Sequence, residues 1–143
     1  MKLKCRRVVG GYAEGSALVS SDPVSFYGGI NPETGLVTEP GHDVEGECIT
    51  GSVFVFPTGK GSTVGSYVIY RMKKLGTAPA AIINIETEMV IATGCLMAGI
   101  PLVDRLDVDP IETIDTGVQV KVNSDEGLIE IDRSTYDFQI DRK

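Results

Sequence analysis

The segment that decides the fold is Val53–Leu75, which reads VFVFPTGKGSTVGSYVIYRMKKL. Its first four residues, Val53–Phe56, form an uninterrupted apolar run of strand-forming residues, as expected of a strand that is covered on both faces. Pro57, Gly59 and Gly61 then interrupt the run. Apolar residues follow at helical spacing, namely Val64, Tyr67, Val68, Met72 and Leu75. The segment therefore predicts a buried strand, a glycine-rich turn and a helix.

The turn between this strand and this helix is a candidate site for an anion. It brings Lys60, Ser62 and several backbone N–H groups to one point at the end of a strand. Such a point can hold an anion or stabilise a developing negative oxygen. A nucleotide-binding P-loop is not predicted, because Phe54 replaces its first glycine and Gly61 separates Lys60 from Ser62. A simpler interpretation is that Ser62 or Thr63 only caps the helix, and a cap can coexist with a chemical role.

Further strand and helix patterns follow this segment. The first helix is expected to end at Gly76. Ala80–Ile85 has the composition of a strand, Glu88–Ala98 that of a helix ending at Gly99, and Leu102–Val103 that of a short strand. This alternation of strands and helices is typical of right-handed crossovers and a parallel sheet.

The two ends of the chain favour antiparallel strands. Lys4–Val9 and Glu14–Val19 are predicted strands, and apolar residues alternate with polar ones from Val118 to Val122. A turn at 123–127 leads to a partner strand that begins at Leu128. The polar segment Ser134–Lys143 is expected to fray. We therefore predict an α/β domain with a small parallel β-α-β core and additional antiparallel strands from the N- and C-terminal segments.

Composition narrows the possible functions. The 143 residues are 42% hydrophobic, which predicts one folded domain spanning 1–143 with a core of its own. The net charge of −7 argues against a nucleic-acid or anionic-membrane surface. No apolar run approaches the roughly 20 residues of a membrane span. The basic N-terminus lacks the apolar stretch of a signal peptide, so the expected location is the cytoplasm.

No metal site is predicted in this chain. The three cysteines, Cys5, Cys48 and Cys95, are far apart and show no Cys-x-x-Cys spacing. Cys48 is expected to be buried. We interpret Asp104 and the two nearby aspartates, at 107 and 109, as a solvated turn, because the glycine and glutamate of a calcium loop are missing. Three isolated thiols are a poor basis for a metal cluster, which needs several thiolate ligands.

Two loops contain further candidate site residues. Gly28 and Gly29 allow close approach of the backbone to a ligand or partner, although an ordinary hairpin turn would also use them. His42, the only histidine, lies in a polar loop beside Asp43. We expect its side chain to be solvated, and the alternative is a contact with a substrate phosphate or carboxylate.

Five stretches of the sequence resemble a known family. They are Phe26–Gly35, Phe56–Tyr67, Ala78–Ile83, Ile100–Asp104 and Val122–Gly127. Together they are similar to the small subunit of the aconitase X family, which consists of stand-alone swivelling domains of two-subunit dehydratases. The resemblance implies a swivelling β/β/α fold. It also implies a heterodimer with a large subunit that carries a [4Fe–4S] cluster.

The resemblance also implies an activity and its residues. One iron of the partner's cluster would act on a departing hydroxyl, and Ser62 matches the residue that removes the proton from the neighbouring carbon. The expected substrate-binding residues are Lys60, Gly61, Thr63, Gly28, Gly29 and His42. Family members dehydrate (R)-5-phosphomevalonate to trans-anhydromevalonate 5-phosphate in the mevalonate route to isoprenoids, or act on cis-3-hydroxy-L-proline. We favour the phosphorylated substrate because the chain is free-standing and a glycine turn with a lysine suits phosphate. A non-catalytic phosphate-binding or scaffold module is a further alternative.

Overall fold

The computed structural model describes residues 1–134, so most of the segment predicted to fray lies outside the described residues. Eight strands are present in this range: β1 Lys2–Lys4, β2 Arg6–Val9, β3 Tyr12–Val19, β4 Val53–Phe56, β5 Ala81–Asn84, β6 Leu102–Asp104, β7 Gln119–Asn123 and β8 Leu128–Asp132. The helices are α1 Phe26–Gly29, α2 Gly65–Leu75, α3 Met89–Ala98 and α4 Pro110–Thr113. Within residues 1–134, none of these helices has the length and apolar character that a bilayer crossing requires.

The strands form one sheet in the order β1-β8-β7-β3-β4-β5-β6-β2. Strands β3 to β6 run parallel, and the other pairs are antiparallel. Strand β3 belongs to both parts, since its first half pairs with β7 and its second half with β4. The strands at the two ends of the order, β1 and β2, are separated in the chain only by Cys5. The predicted parallel core with added antiparallel strands is confirmed. The single strand predicted at Lys4–Val9 is replaced by two strands, β1 and β2.

Two apolar clusters lie on opposite sides of the parallel strands. In β4, Phe54 and Phe56 belong to the cluster beneath the helices, whereas Val53 and Val55 belong to the cluster shared with the antiparallel strands. All four side chains are fully buried. This arrangement explains the uninterrupted apolar run, because a strand between two layers has no solvent-facing side. The antiparallel part of the sheet, its parallel part and the helices thus form three layers, as the predicted β/β/α fold requires.

Helix α2 buries a different face from the one predicted. Ser66, Ile69 and Met72 are buried, whereas Tyr67 is 68% exposed and Leu75 is 50% exposed. The reason is the close packing of α2 on α3 at Gly94, where an added Cβ would lie 3.2 Å from the Cα of Ser66. The missing side chain at Gly94 leaves room for Ile69 and Ser66 to face α3, and the aromatic residues of α2 turn outward. The predicted end of the helix is confirmed, since Gly76 has a left-handed conformation with φ of 79°.

Two expectations about buried residues were wrong. Cys48 is exposed, because its loop packs the neighbouring Ile49 into the core instead. Asp104 is fully buried, unlike the solvated turn predicted for it. Both its oxygens accept hydrogen bonds from the Arg6 guanidinium at 2.8 Å, and the Thr87 N–H donates to it at 2.9 Å. Burial opposes ionisation, but these hydrogen bonds prevail and hold the pKa of Asp104 below its usual value.

We expect the Arg6→Met substitution to lower the free energy of unfolding by about 2 kcal/mol, because it leaves a buried carboxylate without its main partner. Urea unfolding followed by circular dichroism measures this loss. The lowered pKa means that the contribution of Asp104 is complete above the ordinary aspartate pKa of about 3.9 and is lost as the pH falls through the folded-state value. The difference between the wild type and the variant should therefore shrink at acidic pH.

Arg7→Met is the matched control for this test. The Arg7 side chain pairs with Asp125 at 3.4 Å, and both side chains are 58% exposed. Exposed pairs of this kind contribute about 0–1 kcal/mol. Equal losses in the two variants would show that the Arg6–Asp104 pair does not stabilise the junction of β2 and β6.

Candidate active site

The glycine-rich loop lies at the carboxyl end of β4 and is fixed along one side by residue 24. The Val24 N–H donates to the Thr58 carbonyl at 3.1 Å, and the Lys60 N–H donates to the Val24 carbonyl at 3.0 Å. These two bonds bracket Gly59, which is buried. A Cβ at Gly59 would collide with the side chains of Glu88 and Ile91. The loop therefore has a defined path between the segment at Val24 and the start of α3.

Gly61 is required by both its conformation and its surroundings. Its φ is +88°, in the left-handed region that favours glycine. A Cβ at this position would collide with the hydroxyl of Ser25. That hydroxyl is itself held by donating to the Tyr27 carbonyl at 2.8 Å. Ser25 therefore limits how the backbone can turn immediately before Ser62.

The Ser62 hydroxyl is presented to solvent at the entrance of α2. The residue is exposed, and its Oγ accepts a hydrogen bond from the Val64 N–H at 3.1 Å. The prediction that Ser62 or Thr63 caps the helix was wrong in detail, because Val64 occupies the cap position and the cap has no side-chain hydrogen bond. A tight turn precedes the helix, with the Gly65 N–H donating to the Ser62 carbonyl at 3.0 Å. Because of this turn, Ser62 lies two residues before the cap residue Val64, and its hydroxyl is accessible to solvent.

Three consecutive backbone N–H groups beside this hydroxyl have no acceptor. They belong to Gly61, Ser62 and Thr63, and no hydrogen bond from them exists within residues 1–134. They lie at the N-terminal end of the 11-residue helix α2, where the helix dipole carries partial positive charge. The loop therefore supplies donors that are unused within the described residues, next to a helix end whose field favours negative charge.

Lys60 is connected to the predicted glycines at 28 and 29 through Glu39. The Lys60 ammonium contacts a Glu39 carboxylate oxygen at 2.8 Å. The Glu39 N–H in turn donates to the Gly29 carbonyl at 3.3 Å. Gly28 adopts a φ of +86° beside exposed Tyr27. The structure thus places six predicted residues in one region: Ser62, Lys60, Gly61, Thr63, Gly28 and Gly29.

His42 is a buried support rather than a solvated loop residue. It is only 7% exposed, and its Nε2–H donates to the Pro23 carbonyl at 2.9 Å. Its Nδ1 accepts from the Val44 N–H at 3.2 Å, so both ring nitrogens have partners within the protein. Asp43 binds the Ser21 N–H at 2.8 Å instead of facing the ring. The substrate contact suggested for His42 stays a prediction, and it would require one of these ring bonds to break.

Sequence reasoning missed the residues that shape the loop from outside. Ser25, Glu39 and Glu88 each contact or constrain it, and none lies within the predicted motif. The Glu88 carboxylate also accepts from the Val90 and Ile91 N–H groups and so caps α3. Even this cap has no common sequence signal, since the preferred cap residues are serine, threonine, aspartate and asparagine rather than glutamate.

The cysteines of this chain are unsuited to hold a cluster. Within the described part of the chain, no group of three or more histidine, cysteine or acidic side chains could bind a metal ion. Burial, with Asp104 and Asp107 nearby, raises the pKa of Cys5 to about 11. Burial also raises the pKa of Cys95. Both therefore remain protonated thiols at neutral pH, whereas cluster ligands are thiolates.

Comparisons with known proteins agree with this geometry. The family model for the aconitase X swivel domain matches residues 2–131. The chain is 54% identical over 132 residues to the phosphomevalonate dehydratase small subunit of Thermococcus onnurineus, covering 92% of this chain and 99% of that protein. It is 51% identical to the protein of the same name from Methanococcoides burtonii, covering 92% and 96%. A crystal structure of Thermococcus kodakaraensis aconitase X in its holo form aligns with a TM-score of 0.87 at 51% identity, covering 92% of this chain and 98% of that one.

Gly61→Ala should disrupt the loop more than an equivalent change at an open position. A left-handed backbone costs a non-glycine residue about 1–2 kcal/mol, and the collision with Ser25 adds to that cost. We expect the backbone amide resonances of residues 60–63 to shift in a two-dimensional NMR spectrum, together with a lower urea midpoint.

Gly46→Ala provides the matched control. Gly46 has a φ of +84°, and nothing lies within 4 Å of an added Cβ. The control should lose only the cost of the backbone conformation and should leave the resonances of residues 60–63 in place. If the two variants behave alike, Ser25 does not constrain the loop.

Proposed function

This chain belongs to the aconitase X swivel domain family, and we propose that it is the small subunit of a phosphomevalonate dehydratase, a hydro-lyase. Relatives with this name are 50–54% identical to it over 92% of its length. The proposed reaction converts (R)-5-phosphomevalonate to trans-anhydromevalonate 5-phosphate in the mevalonate route to isoprenoids. One carbon loses a hydroxyl, its neighbour loses a proton, and the products are an alkene and one water.

We propose that the site is completed by a large subunit. The relatives are named small subunits, which supports a partner chain of this kind. The described residues of this chain do not provide ligands for a [4Fe–4S] cluster, so the cluster belongs to the partner in this proposal. When bound there, the cluster supplies Lewis acidity toward the departing hydroxyl. The heterodimer is then the active unit, and this chain alone is inactive.

The observation that carries the proposed role of Ser62 is its exposed hydroxyl beside unused N–H donors. A serine hydroxyl is a poor base in water because its alkoxide is unstable. Here the Val64 N–H already donates to Oγ at 3.1 Å, and the N–H groups of residues 61–63, which have no acceptor within residues 1–134, directly precede α2 in the chain. Such donors stabilise negative charge where it develops. Ser62 Oγ is therefore the proposed acceptor of the proton from the substrate carbon.

Lys60 is the proposed anchor for a substrate phosphate or carboxylate. Its pair with Glu39 is partly exposed, at 45% and 28% for the two side chains. A pair of this kind contributes about 0–1 kcal/mol, so a dianionic ligand can replace Glu39 at little cost. The backbones of Gly28, Gly29, Gly61 and Thr63 would allow the substrate to approach closely.

The alternative substrate, cis-3-hydroxy-L-proline, fits the same plan of hydroxyl and proton loss. The names of the relatives favour phosphomevalonate over it.

For the location we propose the cytoplasm, since the three cysteines are unpaired thiols in the structure, as is usual in reducing compartments.

Ser62→Ala in the reconstituted two-subunit enzyme should lower kcat for phosphomevalonate at least ~100-fold, because the variant lacks the proton acceptor. Assembly with the large subunit should be unchanged, since the Ser62 side chain makes a single hydrogen bond within residues 1–134. Steady-state kinetics and analytical size exclusion measure the two quantities.

The matched control is Ser16→Ala, which changes an exposed serine on β3. It should keep wild-type kinetics.

Lys60→Met in the same assay should mainly raise KM, which separates an anchor from a base. Wild-type turnover by Ser62→Ala would contradict the assignment of Ser62. Full turnover by the large subunit alone would show that this chain is a scaffold.

A further inference from the structure

Helix α3 carries mainly apolar residues on its exposed side, where Thr93 is the one polar exposed residue, as well as on its buried side. Its sequence, MVIATGCLMA, contains no charged residue. Met89 is 77% exposed, Leu96 is 71% exposed and Met97 is 39% exposed. A surface helix ordinarily carries charged and polar residues on its outer side, and a helix that is apolar all round is normally buried. The exposed side of α3 therefore lacks the composition of a permanent solvent surface.

The exposed side of α3 continues to the glycine-rich loop that carries Ser62. Met89 and Met97 line an open groove between α2 and α3 together with Tyr67 and Thr63. Thr63 follows Ser62 directly, and Tyr67 is 68% exposed one helical turn further on. We call the surface formed by Thr63, Tyr67, Met89, Leu96 and Met97 the α2–α3 face.

We propose that the α2–α3 face is the surface on which the large subunit docks, so that apolar contacts position the partner beside the Ser62 hydroxyl. This inference rests on the proposed function and adds the surface through which it is assembled. Protein interfaces are enriched in methionine and tyrosine and depleted of charge at their centre, as this face is. The face is continuous with the loop that carries Ser62. A second chain that completes the site must lie against this loop, so the large subunit is the expected partner on the face.

The opposite side of the molecule has a different character. The outer positions of the antiparallel strands carry charges, including Lys2, Lys4, Glu130 and Asp132, all of them exposed.

A second copy of this chain is a poorer occupant of the α2–α3 face than the large subunit. Two copies would each bring a net charge of −7, and like charge opposes association. A copy would also cover the Thr63 side of the loop, which the proposed reaction leaves to the partner.

The test replaces Leu96 with glutamate on the face and Tyr12 with glutamate on the antiparallel layer. Both residues are large, apolar in character and exposed, at 71% and 56%. Affinity for the purified large subunit is measured by isothermal titration calorimetry, and folding is checked by urea unfolding. We expect Leu96→Glu to raise Kd roughly 30-fold or more, because it places a charge among the apolar contacts of the proposed interface. Tyr12→Glu should leave Kd unchanged.

Kinetics distinguish docking from chemistry. At saturating large subunit, Leu96→Glu should recover the kcat of the wild-type pair, because its catalytic loop is intact. A wild-type Kd for Leu96→Glu would overturn the proposal. So would a chain that self-associates in light scattering and becomes monomeric on Leu96→Glu while its affinity for the large subunit stays unchanged. If Leu96→Glu weakens docking but the wild-type pair does not dehydrate phosphomevalonate, the docking surface stands and the proposed function fails.

Discussion

The complete burial of β4 is the constraint on which the rest of the structure depends. Val53–Phe56 lies between two apolar clusters, with all four side chains removed from water. Full burial of a valine or phenylalanine side chain contributes about 1.5–3 kcal/mol, so sliding this strand out of position would be costly. The carboxyl end of β4 is therefore fixed in space, and the loop that follows it begins from a fixed point. In parallel sheets this edge is where ligands bind, because the loops after the strands converge there.

The loop keeps its shape through contacts that the motif itself does not contain. The hydrogen bonds from and to Val24 hold its first half, and the Ser25 hydroxyl limits the turn at Gly61. His42 supports that same segment from below through the Pro23 carbonyl. The role proposed for the Ser62 hydroxyl needs this kind of support, since rates depend on holding reacting groups in position. The loop thus exposes the Ser62 side chain while these contacts constrain its backbone.

The sequence allowed the prediction of the elements whose signals are local. The apolar run at Val53–Phe56 and the glycines after α2 and α3 identified the parallel core, because periodicity and helix stops act within a few residues. The buried face of α2 was not predictable from spacing, since it depends on the contact of Ser66 with Gly94 on another helix. Burial of Asp104 depends on Arg6, 98 residues away. The link from Lys60 to Glu39 spans 21 residues and has no local signal.

The central claim is that a preformed loop with free donors becomes enclosed when a second chain docks. Hydrogen–deuterium exchange of the backbone amides, with and without the large subunit, tests it most directly. In the isolated chain the amides of Gly61, Ser62 and Thr63, which have no acceptor within residues 1–134, should exchange rapidly. On complex formation they should become protected together with α3, while β7 and β8 remain unchanged. Unchanged exchange of the three amides in a complex that demonstrably forms would contradict the account.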